Sequence, residues 1–173
     1  MGLDLEYTAN QESVVVIQLC FNKNFMVFQW ASSDKQCPVL MDFLRRGIPF
    51  ASINIRNDKL KMRHTFGIEI RVDCHIDIQG IFRLEHTRTS MAHMTLPMID
   101  EEYVDMKTKF PYEKHKEWNT TPLDDINIEY ATKDVYVAYE LYRMIRIINY
   151  DQRHLVHQAP PALPIWGYSD SDE

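Results

Sequence analysis

The run Val14-Val15-Val16-Ile17-Gln18-Leu19-Cys20, followed beyond Asn22-Lys23-Asn24 by Phe25-Met26-Val27-Phe28-Gln29-Trp30, commits the first part of the chain to a β-hairpin. Valine and isoleucine are stiff at χ1 and pack well on a pleated surface, so an apolar run of this length reads as a buried strand. The polar triplet supplies the turn. Leu3 to Tyr7 is a short strand ahead of it, and the chain opens as a three-stranded meander.

The period then changes. Val39, Leu40, Phe43 and Leu44 recur at helical spacing and stop at Gly47, a C-terminal cap, before the strand Phe50-Ala51-Ser52-Ile53-Asn54-Ile55. Asp58 to Phe66 reads as a second helix closed by Gly67, and Ile68 to Ile78 holds a short extended stretch ending near Asp77. A helix over Thr89 to Ile99 would carry Met91, Met94 and Met98 as a core stripe, and a polar connection with Pro111 and Pro122 follows over 105 to 123. The longest element is a helix capped by Asp124, running from about Asp125 to about Ile148, with Ala131, Val135, Ala138, Tyr142 and Ile145 on its apolar face. It is expected to end before Asp151-Gln152. Residues 1–150 form the folded domain on this reading, and 151–173 a Pro-rich, acidic, weakly ordered tail. No internal repeat is visible. A meander followed by alternating helix and strand is an α/β pattern with a mixed sheet.

Composition narrows the function classes. A length of 173 residues with 45% hydrophobic content suits one globular unit, and no apolar run is long enough to span a bilayer or make a signal peptide. A soluble protein of the nucleus or cytoplasm is expected. Cys20, Cys37 and Cys74 are odd in number and fit no zinc spacing, so they read as reduced thiols. The net charge of −6 argues against holding nucleic acid by bulk electrostatics alone. The acid is unevenly spread, because residues 1–96 carry 11 Lys and Arg against 10 Asp and Glu, and residues 97–173 carry 8 against 15. Arg56, Lys59, Lys61, Arg63 and His64 surround one acid, Asp58, which suits either a solvated helix face or an acid with a special use.

Three placements of carboxylates stand out. Asp4 and Glu6 leave the same face of their strand, with Leu5 on the other, and such a pair is unfavourable unless solvated or bridged by a cation. Tyr130 and Asp134 share one face of the long helix, either as a hydrogen-bonded surface pair or as part of a site. Asp58 lies at a strand-to-helix junction, where it can cap its helix or face a ligand at the carboxyl ends of strands.

Taken in order, Gly2-Leu3-Asp4-Leu5-Glu6, Ile17-Gln18-Leu19-Cys20, Ser52-Ile53-Asn54-Ile55-Arg56-Asn57-Asp58-Lys59-Leu60, Trp118 and Tyr130-Ala131-Thr132-Lys133-Asp134 resemble the successive motifs of the DEDDy 3′–5′ exonucleases, most closely the Werner-syndrome-like exonuclease domains of plants. The resemblance covers about residues 2–148. It implies a ribonuclease H-like fold, a mixed five-stranded sheet of an antiparallel meander plus parallel strands, flanked by helices. It also implies a catalytic set of Asp4, Glu6, Asp58, Tyr130 and Asp134 acting on nucleic acid, DNA or RNA, with a free 3′ end. Of two Mg²⁺ or Mn²⁺ ions, one would be held directly by Asp4, Glu6 and Asp134 and the other by Asp4, with Asp58 acting largely through water. Tyr130 would orient the attacking water and Leu5 would pack against the terminal base. Apart from the resemblance, the basic Lys59, Lys61 and Arg63 are expected to meet phosphates if their helix borders the cleft. The alternatives are a catalytically weak or silent module of the same fold that binds nucleic acid or protein, and an endonuclease of the wider ribonuclease H-like class. The retained set of four acids argues against the first. Tyr130 beside Asp134 argues against the second.

Overall fold

The computed structural model of the chain describes residues 1–34, 37–81, 99, 103 and 109–158. The expected helix over Thr89 to Ile99, with Met91, Met94 and Met98, falls outside the described residues except at Ile99, as does the tail from Ala159.

The meander forms as its residues require. Strands β1 (Gly2–Tyr7), β2 (Val14–Phe21) and β3 (Asn24–Gln29) pair antiparallel, and Asn22 takes the positive φ of 56° that the tight turn between β2 and β3 needs. Every residue of β2 except Phe21 is buried. After α1 (Pro38–Arg45), which starts on a proline and buries Met41 and Leu44, Gly47 turns the chain at φ 70° into β4 (Phe50–Ser52). Helix α2 (Ile55–Phe66), strand β5 (His75–Asp77) and the one-turn helix α3 (Ile78–Ile81) follow. Both β4 and β5 run parallel to β1, and the sheet order is β3-β2-β1-β4-β5. This is the expected mixed five-stranded α/β sheet in the ribonuclease H-like arrangement, with β1 at its centre rather than at an edge.

Two boundaries differ from the sequence reading. The strand expected over 50–55 stops at Ser52 because Asn54 adopts a left-handed conformation, φ 63°, and α2 begins at Ile55. Asp58 therefore lies in the first turn of α2 and is not its N-cap, a place held by Asn54. The C-terminal end is as expected, with Gly67 at φ 62° donating to the Arg63 and Met62 carbonyls. The long helix, α4 (Asp125–Gln158), runs past both the expected end near Ile148 and the expected domain boundary at 150. Asp151 and Gln152 are polar residues but not helix breakers, and no Gly or Pro occurs between Asp125 and Gln158. Asp124 caps α4 as expected, its Oδ1 accepting from the Asn127 N–H at 2.8 Å.

Each face of the sheet has its own core. Leu3, Leu5 and Ile17 pack with Met41 and Leu44 of α1 and Met62 of α2, whereas Ala51 and Ile78 pack under Val137, Leu141 and Ile145 of α4. Alternation along β1 thus sends Leu3 and Leu5 to one face and Gly2, Asp4 and Glu6 to the face that α4 covers. Gly2 sets the approach of α4, since a Cβ there would lie 2.5 Å from the Val135 carbonyl oxygen and 3.0 Å from Tyr139 Cβ. Among the described residues all three cysteines are free, and no helix is long and apolar enough to cross a membrane.

Candidate active site

Close packing at Gly2 carries α4 along β1 so that the acids of both elements meet. Asp4, Glu6 and Asp134 each offer a carboxylate oxygen, and these atoms lie within 4.8 Å of one another, with Asp134 buried and the other two half-buried. The pair on β1 is therefore not a solvated edge pair. It stands on the central strand under a helix that adds a third acid, a concentration of like charge that suits a cation. The donor set is all carboxylate, the hard oxygen chemistry that fits Mg²⁺ or Mn²⁺.

Gln18, directly opposite Asp4 in the β1–β2 register, is fully buried and donates its Nε2 to Glu6 Oε1 at 3.4 Å. Sequence reasoning passed over it, although one amide inside an otherwise apolar strand was a readable signal. The β1–β2 register shifts between Glu6, opposite Val16, and Tyr7, opposite Val14, which leaves Val15 as an extra residue. Val15 and Val16 consequently face the same way, toward Tyr130, Phe110 and Trp118, while Val14 and Ile17 belong to the other core.

That valine pair floors an aromatic box around Tyr130. The Phe110 ring lies 4.0 Å from the Tyr130 ring between centroids, His115 5.6 Å and Trp118 6.0 Å. Burial pushes the Tyr130 phenol well above its ordinary range, and the charges of Asp134, Glu6 and Asp4, with a hydrogen bond to Asp134, push it further. At working pH it keeps its proton, so it can act as a hydrogen-bond donor and not as a base. Trp118 was singled out from the sequence; Phe110 and His115 were not.

Asp58 is buried but stands apart from the three converging acids, accepting at Oδ1 from the Tyr7 hydroxyl. Burial and then the charge of Asp58 raise the Tyr7 phenol, and the charges of Asp4 and Glu6 add to the effect. The basic residues of α2 divide. Lys61 Nζ lies 5.9 Å from the Tyr7 ring centroid and donates to the Gln11 carbonyl, whereas Arg63 pairs with Glu69 at 3.3 Å and Lys59 lies close enough to His75 to lower its proton affinity. Leu5 is 3% exposed in the core with Leu3 and Ile17, on the face away from the acids. The expectation that it meets a terminal base is corrected by strand alternation, which turns it from the site.

On the neighbouring strands β4 and β5, Ser52 Oγ and His75 Nε2 are 3.0 Å apart and buried. Burial, with the charge of Lys59, lowers the His75 pKa to about 3. In the unfolded chain a histidine takes up a proton below about pH 6.5, so between there and about 3 the unfolded state binds more protons. Stability is expected to fall as the pH drops through that window, by up to roughly 1.4 kcal/mol per pH unit from this group. Urea unfolding at pH 7 and pH 5 checks it: His75→Gln should lose less stability between the two than wild type does, and equal losses would remove His75 as a source.

The sequence of residues 2–148 matches the family profile described as 3′–5′ exonuclease. No curated protein matches the chain significantly. Among solved structures, the exonuclease domain of EXD2, in crystals soaked in Mn and dGMP, is similar at 15% identity over 96% of this chain and 86% of that one, with a TM-score of 0.39.

Proposed function

The chain belongs to the 3′–5′ exonuclease domain family, and from that premise we propose that it removes nucleotides one at a time from the 3′ end of DNA or RNA with Asp4, Glu6 and Asp134 as the ligands of two divalent cations. The observation that carries this reading is the convergence of those three carboxylates within 4.8 Å, drawn from two elements far apart in sequence. Mg²⁺ or Mn²⁺ bound there would supply charge neutralisation at the phosphate and acidify a water for attack.

The chain's own residues do the rest. Tyr130, protonated and held by its aromatic box beside Asp134, orients the attacking water through its phenol oxygen, and its place there supports the DEDDy, Werner-like reading. Asp58 acts from outside the trio through water. Lys61, beside Tyr7 and Asp58, is the first proposed phosphate contact, with Lys59 and Arg63 behind it and Leu5 left out. The unbroken run of α4 to Gln158 supports an exonuclease unit that extends beyond residue 150.

Incubating 5′-labelled single-stranded DNA and RNA with the protein tests the reading. Shortening is expected with millimolar Mg²⁺ or Mn²⁺ and none in excess EDTA. Intact substrate under all conditions would leave the silent module as the better account, and equal cleavage in chelator would remove the metal from the chemistry.

A further inference from the structure

We propose that Tyr7 is a positioning residue for Asp58, a phenol anchored in the core that fixes the orientation in which this carboxylate serves the acid cluster; the inference rests on the exonuclease reading above. Three observations carry it. First, Tyr7 is the last residue of β1 and continues the alternation of Leu3 and Leu5, so its ring packs on the core beneath α1 and α2 while Asp4 and Glu6 point to the other face. A ring held this way has little freedom, and its hydroxyl projects at the carboxyl end of the central strand.

Second, that hydroxyl donates to Asp58 Oδ1 in a pairing that is remote in sequence and largely shielded from water, with Asp58 only 5% exposed. A charge-assisted hydrogen bond in such surroundings is directional and strong. Third, the partners are themselves fixed. The Val14 N–H, opposite Tyr7 in the register, donates to Thr65 Oγ1 at 3.1 Å and ties α2 to the sheet, and Lys61 stands over the Tyr7 ring while bonded to the Gln11 carbonyl. Asp58 enters from α2 on one side of the sheet and the trio is built on the other, so the end of β1 is where the two must be brought into register. Tyr7 occupies that point.

Removal of a hydrogen bond that orients an acid at a metal site lowers metal affinity or activity by about ten- to a hundredfold. Tyr7→Phe keeps the ring and its packing, so the fold is expected to survive. Mn²⁺ binding to the substrate-free protein, followed by the loss of the free-ion electron paramagnetic resonance signal, should weaken by about tenfold in Tyr7→Phe, with an equal rise in the Mn²⁺ concentration needed for half-maximal cleavage. Asp58→Asn should weaken it as well, and Tyr7→Phe should add nothing in that background, since the two residues act as one unit. Tyr7→Phe with wild-type Mn²⁺ binding, or with a full additive loss on top of Asp58→Asn, would overturn the inference while leaving the exonuclease reading intact. Wild-type protein that binds no Mn²⁺ would overturn both.

Discussion

Asp134→Ala and Asp4→Ala are each expected to lower the single-turnover rate by about a thousandfold or more, because on the proposed mechanism each removes a carboxylate that would hold a catalytic cation. The two residues come from the helix and the strand that meet at the trio, so neither can substitute for the other. Tyr130→Phe should behave differently. It deletes one hydrogen bond to a charged or polarised partner, about 1.5–3 kcal/mol, and should cost roughly ten- to a hundredfold while the aromatic box remains packed. Rates measured at saturating Mn²⁺ on one 5′-labelled substrate rank the three. A Tyr130→Phe enzyme at the wild-type rate would remove Tyr130 from the mechanism, and substantial turnover by Asp134→Ala would remove the trio.

Asp134→Asn is expected to melt at a higher temperature than wild type in EDTA while losing activity. In the metal-free protein three carboxylate oxygens within 4.8 Å repel one another, and an amide in place of the buried member relieves that repulsion without changing shape. A gain of about 1 kcal/mol would raise the midpoint by roughly 2–4 °C for a chain of this size. Mn²⁺ should then stabilise wild type strongly, by about 2.7 kcal/mol at a hundred times its dissociation constant, and the variant much less. Scanning fluorimetry of both proteins in EDTA and in millimolar Mn²⁺ decides the matter. If Asn lowers the midpoint in EDTA and metal shifts both proteins alike, Asp134 is an ordinary helix residue.

The sheet was legible in the sequence wherever one local signal was strong. β-Branched runs, the Asn22-Lys23-Asn24 turn, the glycines at 47 and 67 and the Asp124 cap each acted within a few residues, and each element formed where they indicated. What escaped depended on distance or on an unusual backbone. A left-handed Asn54 shortened β4 and lengthened α2, and no rule of period foresees a positive φ at a non-glycine residue. The long helix outran its expected end because charged residues without Gly or Pro do not stop a helix.

At the site, the spacing of Asp4 with Glu6 and of Tyr130 with Asp134 gave shared faces, but only the packing at Gly2 brings the two faces together. The single extra residue in β2 turns Val15 toward Tyr130, against a simple alternation argument; Tyr7, readable only as a strand end, gains its meaning from a helix about fifty residues away. Leu5 shows the opposite error, a motif position whose strand face sends it into the core.

Polarity of cleavage tests the central claim most directly. One oligonucleotide, labelled in separate preparations at its 5′ or its 3′ end, is digested in Mg²⁺ or Mn²⁺ and sampled from the first seconds. The 3′-labelled strand is expected to release labelled mononucleotide at once, while the 5′-labelled strand descends as a ladder one nucleotide at a time. Internal fragments appearing first, or mononucleotide released first from the 5′ label, would contradict the account.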